Sequence, residues 1–235
     1  MKNIFWLFVS ILLVSPLYAQ GQQTNTSSMK TVPAAPTASE ERLEKIHALE
    51  MEVVDTAARQ WAFQIKNGVS HTSLEDLKQT AAKEENPRPY IHKFLSLVEK
   101  YLGQKEIPFI TPEEWEKFEE NQQQIEKLRN NGQLNAAIEK RRKMDKKITA
   151  LRKPIFELDA QHWAWRIAEV KDTTLEQLRS YSVQWVGEGA ENARLILAIE
   201  ENLKNGNTKR PSDAEMKKIR KTHEQIRKLI NKTKL

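Results

Sequence analysis

Apolar residues recur at three- and four-residue spacing along most of the chain, which is the period of an amphipathic α-helix. The first such stretch runs from about Ser39 to Lys66 and ends at Gly68. Four pairs with the spacing of a capping box predict further helix starts: Thr72 with Glu75, Thr111 with Glu114, Thr173 with Glu176, and Ser212 with Glu215. Only 7 Gly and 9 Pro are available for turns, so the pattern predicts eight helices and no sheet.

The second half of the chain repeats the first. The segment RQWAFQI at 59–65 recurs as QHWAWRI at 161–167, and TSLEDL at 72–77 recurs as TTLEQL at 173–178. The offset is 102 before the intervening turn and 101 after it, and apolar positions keep this register into the last helix. The sequence therefore predicts an all-α protein made by tandem duplication of a roughly 100-residue four-helix unit, at residues 40–141 and 142–235.

The junction of the two units has the 3-4 apolar spacing of a coiled coil. The positions are Leu134, Ala137, Arg141, Met144, Ile148, Leu151, Ile155 and Leu158. The preceding helix has the same spacing at Trp115, Phe118, Gln122 and Ile125. These two seams predict an antiparallel, coiled-coil-like helical hairpin. Its second arm continues as the first helix of unit two, with a kink near Pro154 because proline lacks the backbone N–H.

The N-terminus has the pattern of a secretory signal peptide. Lys2 precedes an apolar run over 4–14, and Ala19 supplies a small residue for cleavage near Ala19-Gln20. The alternative is a membrane anchor, but a spanning helix needs about 17–25 residues and this run is shorter. We therefore expect a signal peptide at 1–19, a disordered linker at 20–39, and export to the periplasm or the extracellular space.

The absence of cysteine excludes thiolate nucleophiles, zinc-thiolate sites and disulfides. Glu44 and His47 have the E-x-x-H spacing of di-iron bundles, but such bundles need a second copy of the motif and none occurs. His162 and His223 align with Gln60 and Gln122 of unit one, so no histidine site is shared by the units. The seam position of His223 is one where a polar residue sets helix register. We expect no metal, no cofactor and no catalytic residue.

Tryptophan offers a different kind of candidate site. The paired Trp61 and Trp163 have helical spacing with neighbouring apolar residues, which predicts that both belong to the core. Trp165 and Trp185 have no tryptophan partner in unit one. If a ligand groove exists, unit two is therefore the place to expect it.

Charge separates the two units. Residues 20–132 hold 14 basic and 18 acidic residues, net −4, whereas residues 133–235 hold 23 and 14, net +9. The candidate partner-binding residues are the basic clusters of unit two: Lys140, Arg141, Arg142, Lys143, Lys146, Lys147, Lys217, Lys218, Arg220 and Lys221. Such clusters attract an acidic protein or an anionic envelope polymer, and the acidic fourth helix of one chain could also meet the basic last helix of another.

The leading hypothesis is an exported, non-enzymatic helical repeat protein that binds a protein or polyanionic partner through unit two. The alternative class is a helical cell-wall hydrolase with a lone glutamate, or a haem- or metal-binding protein of the cell envelope that uses His47 or His162. An apolar cleft around a buried glutamate would favour the hydrolase, and converging histidine and glutamate side chains would favour the metal protein.

Overall fold

The computed structural model describes six parts of the chain, which are residues 38–68, 72–83, 89–130, 132, 136–182 and 188–233. Most of these residues are helical. These residues form no strand, so the predicted all-α class is confirmed for them. The α-helices are α1 Ala38–Lys66, α2 Leu74–Ala82, α3 Pro89–Leu102, α4 Pro112–Arg129, α5 Ala136–Arg152, α6 Phe156–Trp165, α7 Leu175–Ser182, α8 Gly189–Lys204 and α9 Asp213–Thr233. The predicted signal peptide lies outside the described residues, as does the linker up to residue 37.

Helices α5 and α6 belong to one continuous helical segment. A 3₁₀ turn at Lys153–Ile155 joins them, and a π-helical turn at Arg166–Val170 extends α6. The 3₁₀ turn contains Pro154, which cannot donate the backbone hydrogen bond of a regular α-helix. Counted as one segment, residues 136–170 bring the described helical segments to the predicted eight, and the interruption falls at the predicted place.

The helix starts follow the predicted capping pattern with one correction. Helices α4 and α9 begin at the predicted boxes, because Thr111 and Ser212 accept from the backbone N–H groups of Glu114 and Glu215. Helix α2 instead begins one residue later than predicted, with Ser73 and Asp76 as its capping box. The same shift occurs at α7, where the N–H of Gln177 donates to Thr174 Oγ1 at 3.1 Å.

The first half has its core where α1 crosses α3 and α4. Ala58 and Ala62 of α1 and Val98 of α3 have no exposed surface, and Trp61 is only 5% exposed. The two alanines let α3 approach α1 closely, because a small side chain keeps neighbouring helix axes near. This confirms the core position predicted for Trp61.

The second half has its own core where α6 packs against α8. Ala160 and Ala164 of α6 are fully buried against α8, where Ile196 and Ile199 have no exposed surface. Helix α9 packs along α5 and reaches α6. Trp163 is half-buried and contacts this second core from its edge, so its burial is less complete than its core prediction implies.

The sequence predicts that α5 pairs with α4 in a hairpin, and this pairing is wrong, because α5 packs against α9. Met144 and Ile148 of α5 pack against Ile226 of α9, whereas Trp115 and Phe118 of α4 belong to the core around α1. Both helices do have apolar residues at 3-4 spacing, but this spacing does not determine which helix packs against them. Helix α9 repeats the same spacing, and it covers α5 where the sequence predicted α4. Leu134 of the predicted seam lies outside the described residues.

The halves meet where α4 packs against α8. Ala190 and Ala193 of α8 are 4% and 2% exposed because they contribute to the core of the first half. Phe109, in the loop before α4, contacts both cores. The second half is therefore attached through the fourth helix of the first.

Candidate functional site

The ten basic residues predicted to bind a partner lie in two separate clusters, one on α5 and one on α9. Ile226 of α9 contacts Met144 of α5, while Lys218 near the start of α9 donates to the carbonyl of Pro154 at 3.0 Å. This pairing is antiparallel, so the start of α9 lies beside the end of α5. The cluster at residues 140–147 is therefore separated from the cluster at residues 217–221 by about 15 Å along the helix axis, at 1.5 Å per residue.

The cluster on α5 is partly neutralised within its own helix. Arg141 bonds Asp145 at 2.9 Å and Lys143 lies 3.8 Å from Glu139. Arg142 is half-buried, whereas Lys140, Lys146 and Lys147 are exposed. These three lysines form no ion pair with another described residue, so their positive charge faces solvent.

The cluster on α9 is less compensated. Lys218 bonds the carbonyl of Pro154, and Arg220 Nε donates to the carbonyl of Met216 at 3.3 Å. Neither contact involves a carboxylate. Lys217 and Lys221 are exposed and have no acidic partner within the described part of the chain. The start of α9 therefore presents four cations without internal neutralisation.

Helix α4 of the first half uses two glutamates to hold α8. The N–H of Gly189 donates to Glu119 Oε1 at 2.8 Å, and Arg194 forms an ion pair with Glu116. Trp115 lies against Gly189 so closely that a Cβ atom there would be 2.8 Å from the ring. Burial raises the pKa of Glu119, although the hydrogen bond from Gly189 opposes this change. Sequence analysis missed this interface because a single glycine gives no periodic signal.

The residues of α9 that align with these positions in the predicted repeat have the opposite charge. At an offset of 101, Trp115 corresponds to Met216, Glu116 to Lys217, and Glu119 to Arg220. Lys217 and Arg220 are exposed, and Met216 is half-buried. In the register predicted from the sequence, two residues that align with the α8-binding glutamates of α4 are thus exposed and basic on α9.

A buried polar cluster lies under α9 in the second half. The side chain of Asp159 is 3% exposed and hydrogen-bonds His223 Nε2 at 3.0 Å. Arg152 donates to Asn192 Oδ1 at 2.6 Å, and burial lowers the pKa of its guanidinium, opposed by the negative charge of Asp159. The bond to Asp159 links the predicted seam histidine of α9 to α6. The repeat pattern does not predict this buried carboxylate, because Asp159 stands where Ala57 stands in unit one, at an offset of 102.

The aromatic residues near the end of α6 are half-buried. His162 is flanked by Trp163 and Trp165 at centroid distances of 6.0 and 5.7 Å. Arg166 stacks over Trp163 at 4.5 Å, and Arg210 lies 6.0 Å from the centroid of Trp165. Two arginines thus lie over the faces of these tryptophans. Trp185 lies outside the described residues.

The alternative functions depend on a glutamate in an apolar cleft or on converging histidine and glutamate side chains. Glu50 lies beside a cavity of about 10 Å³, which has room for one water molecule, and its Oε1 pairs with Arg129 at 2.7 Å. A sugar substrate needs a far larger cleft. No three histidine, aspartate or glutamate side chains of the described residues lie close enough together to hold a metal ion, and His47 is half-buried on α1.

None of the described helices combines the length and the hydropathy that crossing a membrane requires. Comparison with known proteins finds no family model, no curated protein and no solved structure that is significantly similar to this chain.

Proposed function

We propose that this is an exported, non-enzymatic helical repeat protein that binds an acidic partner through the basic face of its second half. The observation that carries the proposal is the exchange of Glu116 and Glu119 on α4 for Lys217 and Arg220 on α9. The glutamates hold a neighbouring helix in place, whereas the cations have no acidic partner among the described residues. A corresponding face of opposite charge is suited to an acidic surface.

The proposal includes a duplicated architecture. Several apolar positions at offsets of 102 or 101 have matching burial, as at Ile46 and Ile148 or Phe118 and Ile219, although Trp61 and Trp163 do not. The order of packing also matches, since the long first helix of each half contacts the third and fourth helical segments of that half. A common origin accounts for both features. Under this proposal the charge difference arose by change on a conserved apolar framework.

Export is the second part of the proposal and rests on the sequence of residues 1–19. A basic start, an apolar run and Ala19 are the features of a cleavable signal. In the periplasm or outside the cell, the partner would be an acidic protein or an anionic polymer of the envelope. The structural arguments favour a protein partner, because the internal precedent for this face is a helix.

Self-association through the acidic α4 is a weaker explanation of the charge difference. Glu116 and Glu119 of α4 already contact Arg194 and Gly189 of the same chain. A second chain that approached with its α9 would have to displace α8 from them. The free protein is therefore expected to be monomeric.

Charge reversal tests the proposal. In the test variant, Lys217, Lys218, Arg220 and Lys221 become Glu, and binding of the purified chain to polyglutamate is measured by calorimetry. Each exposed charge contact contributes about 0.2–1 kcal/mol, so the four together predict at least about fourfold weaker binding. Binding by the unchanged chain should also weaken toward 1 M salt, where the Debye length is about 3 Å.

A matched control makes the same change in net charge on the first half. Lys45, Lys83, Lys93 and Lys127 are exposed there and become Glu in the control variant. The control should lose less affinity than the test variant. Equal losses would mean that net charge alone drives binding, and an unchanged test variant would mean that the basic face is only a solvated surface. Tighter binding to polyphosphate than to polyglutamate would favour an anionic polymer as the partner.

A further inference from the structure

We infer that the start of α9 is a docking site for a partner helix that has small residues at the contact and a carboxylate where α8 has Arg194. The inference rests on the proposed duplication and narrows the proposed function to one surface and one kind of partner. The chain contains its own template for this contact in the packing of α8 on α4.

The template shows which residues a docked helix needs. Gly189, Ala190 and Ala193 face α4, and their small side chains allow the two helices to approach closely. Gly189 also brings its N–H to 2.8 Å from Glu119 Oε1. Arg194 lies five residues further along α8 and pairs with Glu116 at the exposed edge of the interface. Small residues thus set the distance between the helices, and the charge pair sets the choice of partner.

The corresponding face of α9 has exposed residues at two of these positions and the opposite charge. Met216 replaces Trp115, and its flexible side chain suits a surface that adapts to a partner. Lys217 replaces Glu116, so a cation at the Arg194 position would be repelled and a carboxylate attracted. Arg220 replaces Glu119 and cannot accept the N–H of a docked helix, but it can pair with a second carboxylate.

A second copy of this chain does not fit the site. Helix α3 corresponds to α8, and it has His92 where α8 has Ala193. It also has Lys93 where α8 has Arg194, which would place Lys93 against Lys217. Both residues are exposed on α3. Steric bulk and like charge therefore act against head-to-tail stacking, and the fitting occupant is an acidic helix of another protein.

The test uses two synthetic helical peptides in one alanine-rich host sequence. Both copy Gly189, Ala190 and Ala193 of α8, and they differ only in having Glu or Arg at the position of Arg194. Binding to the full chain is followed by the NMR signal of the methyl group of Met216, which lies in the site. The Glu peptide should shift this signal and bind about threefold tighter than the Arg peptide, or more. In the variant Lys217→Glu the preference should reverse.

Three outcomes would overturn the inference: no shift of the Met216 signal with either peptide, equal affinities, or a preference that persists in Lys217→Glu. A variant with Lys93→Glu on α3 is the matched control, because the same charge change lies away from the site and should leave the preference intact. If polyglutamate still binds the chain but the peptides do not perturb Met216, the docking site is wrong while the proposed function stands.

Discussion

The substitution Gly189→Ala tests the close packing that joins the two halves. A Cβ atom at this position would lie 2.8 Å from Cε3 and 2.9 Å from Cδ2 of Trp115, and 3.1 Å from Oε1 of Glu119. Ordinary contacts are 3.4–4 Å, so the indole ring must move by at least about half an ångström. It has little room, because Trp115 is 8% exposed and packs edge-on against Phe118 at 5.7 Å between centroids.

Overpacking of this kind costs about 1–3 kcal/mol. Alanine has a higher helix propensity than glycine, but this offsets less than about 1 kcal/mol at the first residue of a helix. We therefore expect Gly189→Ala to lower the free energy of unfolding by about 1–2 kcal/mol, measured by urea denaturation and circular dichroism. In a Trp115→Phe background the smaller ring leaves space for the new methyl group, and the loss should shrink.

Gly103→Ala is the matched control. A Cβ atom there would meet only the carbonyl oxygens of Lys100 and Glu99, at ordinary distances of 3.6 and 3.7 Å. This substitution should leave the free energy of unfolding unchanged or raise it slightly. If Gly189→Ala were as stable as the unchanged chain, or Gly103→Ala equally destabilising, the argument for close approach of α4 and α8 would fail.

Three further predictions concern titratable groups. Burial lowers the pKa of His162 below its ordinary 6.5, so the unfolded chain binds the proton more readily than the folded chain. The free energy of unfolding therefore falls as the pH falls through 6.5. The variant His162→Gln should flatten this decline in urea titrations between about pH 7.5 and 5. Burial, and then a hydrogen bond to Asp55, raise the pKa of Tyr101 from 10.0 to about 12. The stability that this group contributes is therefore complete below pH 10 and is lost as the pH rises toward 12. In a pH titration, tyrosinate absorbance should show a component above pH 10 that the variant Tyr101→Phe removes. Asp159→Asn removes the charge from the hydrogen bond to His223 and should lower the free energy of unfolding by about 1.5–3 kcal/mol. The loss should be smaller in a His223→Gln background. Equal losses in both backgrounds would show that the two residues do not interact.

Helical periodicity predicted the elements of this fold well but not all of their partners. The helix starts at Thr111 and Ser212 were predicted because a capping box is local and uses neighbouring backbone groups. The box at Ser73 was misplaced by one residue, since Thr72 and Ser73 are each followed three residues later by an acid. The partner of α5 was wrong because α4 and α9 have the same apolar spacing, and only three-dimensional packing distinguishes them.

The candidate surface was predictable in composition but not in geometry. A count of charges identifies the basic residues of α5 and α9, yet it cannot show that antiparallel packing separates the two clusters. It also cannot show that Glu116 and Glu119 are occupied by α8. Under the proposed duplication, that contact is what makes the exchange at Lys217 and Arg220 informative, because these two positions correspond to the glutamates that α8 occupies.

The buried polar cluster of the second half connects this surface to the core. Met216, Arg220 and His223 are spaced by four and three residues, so they lie along one face of α9. Asp159 bonds His223 at 3.0 Å from within α6, and Asp159 is almost fully buried. A rotation of α9 by one residue would turn the helix by about 100° and break this bond. The hydrogen bond therefore fixes the side of α9 that faces outward, and the proposed docking face depends on a carboxylate that the first half does not have.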